Sequence, residues 1–281
     1  MRKSTILPLI ALAGGIVGLL VRRLYLSRAF EPGTGLPIHH TSAAWAMWAV
    51  VAAIAVAVIT LSAGKHRSFE KIFTAAFVPR TVFCQSLRLA SVFFFAVAGF
   101  LNLESFVSGG GLTGGGRMAL VRPVLGIMSL LAAAGIFFMA KTLRSAKPVS
   151  GGWTVTPGFV CCFWVMSSYQ SWAQDPVLSR YLFSLLAVLL AMVGCYFTAG
   201  FAFGKGRVTL TLITCLLSAA LSITVLGDAL ALYDLAMHLA TAAYLVSMAM
   251  ALANNDKRVP PPICTTCDGC PGCTPAAPDE V

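Results

Sequence analysis

Asp234 and His238 lie four residues apart inside a long apolar run, Ala229 to Ala253. On a helix that spacing sets a carboxylate and an imidazole on one face, a turn apart. Ionisable groups at membrane depth are costly, so they face a bundle interior, a water-filled cavity or each other. Such a pair could relay protons, hold a cation or orient a hydrogen-bonded substrate. The plainer alternative is an interhelical polar contact that only fixes packing.

A second constellation lies beyond that run. Cys264, Cys267, Cys270 and Cys273 place four thiols within ten residues of a polar tail. Thiolates so spaced suit a soft cation such as zinc or Cu(I), or an iron–sulfur cluster. The bacterial ferredoxin run has a last gap of three and a Pro after its final Cys. Here the last gap is two and Pro271 follows the third Cys, so the match is partial. Redox-active thiols, or a tail with neither role, are the competing readings. The other five cysteines (Cys84, Cys161, Cys162, Cys195 and Cys215) sit in or near apolar runs, where a thiol serves as a small core hydrophobe.

Other chemistries find less support. A haem between two intramembrane histidines would need His39 or His40 as the second ligand, and both fall at a rim. Zinc hydrolysis needs three protein ligands and an open position, without a motif here to supply them. The glycine-rich stretch Gly109 to Gly116 has neither a preceding strand nor a Lys-Ser or Lys-Thr, so it reads as a linker and not as a phosphate cradle. No nucleophile–base or metal motif marks an enzyme.

The elements that must carry these residues are membrane helices. The chain is 58% hydrophobic and 11% charged, against roughly 25% charged in soluble domains. Mean hydropathy is +0.84. Lipid must therefore be part of the solvent. The net charge of +10 does not point to nucleic acid, because Lys and Arg cluster at the ends of apolar runs without a basic stripe and interleaved aromatics. Apolar runs of about the length that crosses a bilayer recur along the chain. The expected fold is all-α: a polytopic transmembrane bundle of about eight spans over residues 1–255, with a Pro- and Cys-rich tail over 256–281. If the basic start and first apolar run were a cleaved signal, seven would remain, but Val21-Arg22-Arg23 follows where small residues would mark cleavage.

Two segments are less regular. Phe69, Ile72, Phe73, Ala76 and Phe77 share one face of a short helix that Pro79 stops, expected along the membrane surface or as a core-packed connector. Trp153 to Trp172 contains Pro157 and ends in Ser167, Ser168, Tyr169, Gln170 and Ser171, as for a helix lining something wetter than lipid.

Counting Lys and Arg by loop puts fourteen on the side of both termini and six on the other. The positive-inside rule then places both termini in the cytoplasm, of a bacterial-type cell membrane, with Arg22, Arg23 and Arg28 as the main objection. Polar groups from several segments gather on the outer side: Glu31, Glu104, Tyr169, Gln170 and Asp228, with Asp234 and His238 below them. The reading is a transporter or permease-like protein with an outward-facing polar cavity lined by these seven residues. The alternative is a membrane anchor or assembly subunit of a redox or metal-handling complex, its cysteine tail meeting a soluble cytoplasmic partner.

Overall fold

The computed structural model describes residues 3–31, 36–38, 41–64, 73–108, 121–145, 149–172, 177 and 180–256. Among them the regular structure is helical, apart from one isolated bridge between Phe30 and Pro37. The helices are α1 (Lys3–Arg28), α2 (Ser42–Ser62), α3 (Phe73–Phe77), α4 (Val82–Ser108) and α5 (Val121–Arg144), then α6 (Gly151–Trp172), α7 (Leu182–Gly200), α8 (Val208–Val225) and α9 (Leu232–Asn255). Seven are long and apolar enough to cross a membrane: all but α3 and α6.

The eighth long helix, α6, falls short in apolarity and not in reach. Its 22 residues extend about 33 Å. Near its start Trp153 stacks on Phe138, toward the end of α5, with ring centroids 5.2 Å apart, and Gly151 faces the Phe203 ring that follows α7. Near its other end Trp164 meets Asp234 in the first turn of α9. So α6 runs antiparallel to α5 and α7 through the full thickness of the bundle. Pro157 lies inside it without breaking it. The carbonyl of Trp153, which a Pro nitrogen cannot reach, accepts a hydrogen bond from Thr156 Oγ1 at 3.0 Å.

The eight long helices alternate in direction. At one end, called here the Asp228 end, α1 finishes against the connection from α8 to α9 and α7 begins. At the opposite end Asn255 closes α9, donating from Nδ2 to the carbonyls of Ala76 (2.9 Å) and Val78 (3.1 Å) and accepting from Arg80 Nε (2.6 Å). These contacts hold the chain around α3 into the bundle. Phe73, Ala76 and Phe77 are all buried, and Phe77 meets Phe201 edge-on at 5.1 Å. Of the two expectations for this segment, the core-packed connector describes what is observed at residues 73–77. Residues 65–72 lie outside the described part.

α9 is the centre. Of its apolar window 83% is buried, against 22% for α2. The sequence explains the contrast. α2 is uncharged, exposing Trp45 and Trp48 near its start as an interfacial anchor would. α9 instead carries Ala at 236, 240, 242, 243, 249, 251 and 253, all buried. Small side chains let neighbouring helices come close where no hydrophobic force drives helices together in lipid. The same logic appears between α4 and α5, where a Cβ at Gly99 would sit 2.9 Å from the carbonyl oxygen of Gly126.

Candidate functional site

The site is built at the N-terminal end of α9. Leu230 N–H bonds the Asp228 carbonyl at 2.9 Å, so the chain is still turning there, and the helix begins only at Leu232. Residues 229–231 of the expected span are therefore not helical, and Asp234 falls in the first turn. A carboxylate there faces the positive end of the helix dipole, which favours its charge. His238 lies one turn deeper, roughly 9 Å below Leu232 along the axis.

Trp164 of α6 joins the two. Its indole Nε1–H donates to Asp234 Oδ1 at 3.3 Å, and its ring meets the His238 ring at 4.7 Å, 62° apart. From α7, Ser184 Oγ lies 3.4 Å from His238 Nε2. His238 is 1% exposed, and its Nδ1 has no hydrogen-bond partner among the described residues. Whichever tautomer is present, one buried ring nitrogen is left for a proton, an ion or a polar guest. α5 supplies the remaining wall. Arg122 Cζ lies 5.5 Å from the centroid of the Tyr233 ring, and Ser129 Oγ lies 3.4 Å from Met237 Sδ.

Polar groups continue down α9. Thr241 caps back onto the carbonyls of Met237 and His238, at 2.9 and 3.0 Å. Tyr244, fully buried, pairs with Thr198 of α7. Near Met248 lies Arg88 of α4, 0% exposed, with Nη2 3.3 Å from the Phe77 carbonyl and 3.6 Å from Met248 Sδ. Polar groups thus recur along the central helix from Asp234 toward Asn255.

Asp228 belongs to a different arrangement. Its two carboxylate oxygens take Nε and Nη2 of Arg22 at 2.7 and 3.0 Å, in a bidentate pair. Arg22 is 0% exposed and also donates to the Arg180 carbonyl. Its guanidinium lies 5.2 and 5.1 Å from the ring centroids of Tyr25 and Phe183, which adds cation–π attraction where water is absent. This pair ties α1 to the α8–α9 connection. Phe183 and Ser184 are consecutive, so the first turn of α7 touches both arrangements.

Of the remaining sequence candidates, Glu104, Tyr169 and Gln170 lie on the exposed surface of α4 and α6. Glu31 is exposed too, its backbone N–H bonded to the Leu36 carbonyl. His39, His40 and the four tail cysteines fall outside the described residues. Among the described residues no group of three or more His, Cys, Asp or Glu could hold a metal ion. Cys84, Cys161, Cys195 and Cys215 are buried thiols, and Cys162 is exposed. Trp164, Ser184 and Arg88 were not among the expected site residues. Only Arg88 carried a signal, a cation at the edge of an apolar run.

The architecture defines a multi-pass integral membrane protein. The chain matches no protein-family model, no curated protein and no solved structure.

Proposed function

We propose that this protein is a membrane transporter of permease type, in which Asp234 and His238 hold a proton or small cationic solute at the Asp228 end of the bundle. The observation that carries the reading is the buried His238 with an unpartnered ring nitrogen, one turn from a carboxylate. Intramembrane ionisable groups that face a bundle interior characteristically mark ion and substrate paths. The polar groups along α9 supply a continuation for such a path. In this reading the Asp228 end faces outward and both termini face the cytoplasm. Of the cations that set the charge bias, Arg22 and Arg88 are buried in the bundle. Each is discounted from a different side, and the bias keeps its sign. Arg22, part of the objection to this orientation, is neutralised by Asp228.

A detergent thermal-shift screen over small cations and organic amines tests the reading. At least one compound should stabilise the native protein and leave Asp234→Asn unmoved. Shifts that persist in the variant would overturn the assignment.

The spacing of Cys264, Cys267, Cys270 and Cys273 favours a second role, metal binding by a tail that meets a soluble partner. Metal analysis of the full chain against a chain lacking residues 260–281 decides it. A metal-free full-length protein would exclude it.

A further inference from the structure

A groove of about 950 Å3 runs between α6 and α7, away from the Asp234 site. That volume is at the top of the range for small-molecule pockets, ~300–1,000 Å3. Its walls are apolar or small. Gly158 and Cys162 of α6 and Met192 and Tyr196 of α7 line it, with Tyr196 exposed. Its charged groups among the described residues are at the mouth: Lys205 and Arg207, both exposed, sit in the turn joining α7 to α8, and no acidic residue among the described residues lines the groove.

We propose that this groove binds an anionic glycerophospholipid, with an acyl chain between α6 and α7 and the phosphate on Lys205 and Arg207. The dimensions fit one leaflet. From Met192 to Phe203 the groove follows α7 for about 16 Å, half of a ~30 Å hydrocarbon core. The cationic mouth then falls at the level of the headgroups. The turn is shaped to hold the cations there: Gly204 adopts φ 72°, a left-handed conformation suited to Gly, and Lys205 N–H bonds the Gly200 carbonyl at 2.9 Å. Arg207 is the N-cap of α8 and makes no side-chain cap bond, so the first-turn amides of that helix add positive potential beside the guanidinium. A zwitterionic lipid would fill the apolar groove but bring a choline cation toward two like charges. A free phosphate would meet the cations and leave the groove empty.

The test titrates the full-length protein in detergent with dioleoyl phosphatidylglycerol, dioleoyl phosphatidylcholine or inorganic phosphate, following thermal stability and the lipids retained in native mass spectrometry. Phosphatidylglycerol should bind more tightly than phosphatidylcholine, and phosphate should do nothing. A cation at the membrane surface contributes about fivefold in affinity, so Lys205→Gln with Arg207→Gln should weaken phosphatidylglycerol by about thirtyfold. Cys162→Trp, which puts an indole on the exposed groove wall, should weaken both lipids. A separate readout on the unsubstituted protein is the rate at which an apolar maleimide modifies Cys162, an exposed residue of the groove wall. Phosphatidylglycerol should slow it, and phosphate should not. Equal affinity for the two lipids, an unchanged double variant, stabilisation by phosphate alone, or an unprotected Cys162 would each overturn the proposal.

Discussion

Arg22 shows how one residue can be structurally decisive in lipid. Its charge is affordable at zero exposure because Asp228, a backbone carbonyl and two aromatic faces surround it. Removing one partner leaves the other charge buried and unpaired, which costs about 3–5 kcal/mol. Asp228→Asn should therefore unfold at markedly lower temperature in detergent. The double change of Arg22→Met with Asp228→Leu should recover most of the loss, because no charge is then stranded. Trp164 offers a finer dissection. Trp164→Phe keeps one ring against His238 but removes the hydrogen bond to Asp234 and part of the indole's volume, for about 1–3 kcal/mol. Trp164→Ala also empties the pocket and should cost about 3 kcal/mol or more. Equal losses in the two variants, measured by thermal or denaturant unfolding, would show that the ring does no packing there.

At the level of elements, stability depends on close helix crossings. Gly99 and Gly126 bring α4 and α5 within backbone contact, and a side chain at either meets a carbonyl oxygen with nowhere to move. Gly99→Val should destabilise the bundle by about 1–3 kcal/mol, the usual cost of overpacking, measured by the same unfolding assay. Gly64, where a side chain would meet nothing within 4 Å among the described residues, is a suitable control. The long helices were legible in the sequence because lipid demands apolar runs of fixed length. Two elements were less so, for different reasons. α6 is diluted by Gly, Thr and Ser, and only its packing against α5, α7 and α9 shows that it spans the bundle. The segment at Phe73–Phe77 has an apolar face that fits a membrane surface or a protein surface equally. Nothing in the residues themselves says that Asn255 and Arg80 will hold it inward.

For the whole molecule, eight long helices that alternate in direction among the described residues put the start of α1 and the end of α9 at the same end of the bundle. The proposed orientation is checked with a membrane-impermeant maleimide on intact cells. Ala229→Cys, at the Asp228 end, should be labelled, and Gly64→Cys, at the opposite end, should not. The reverse pattern would invert the protein and move the Asp234 site to the cytoplasmic side. The candidate site was legible as a pair and not as a setting. The i, i+4 spacing put Asp234 and His238 on one face, and it holds. Their companions, Trp164 and Ser184, come from 70 and 54 positions away. No local pattern points to contacts made across three helices. The charge count groups Asp228 with them, on the same, outer side, but the turn at residues 228–231 directs it to Arg22.

The most deeply buried of the long helices, α9, is also delivered after α1 to α8. Synthesis delivers α1 to α8 ahead of α9, so a bundle of those helices has a vacant slot along its axis until α9 joins it. That slot is walled by Arg88, Trp164 and Ser184, whose contacts to Met248, Asp234 and His238 form only when α9 arrives. A half-made chain is therefore a client for insertion and surveillance machinery in a way the finished one is not. A chain truncated after Ala231 and released should be cleared from the membrane, and one that continues through Asn255 should persist.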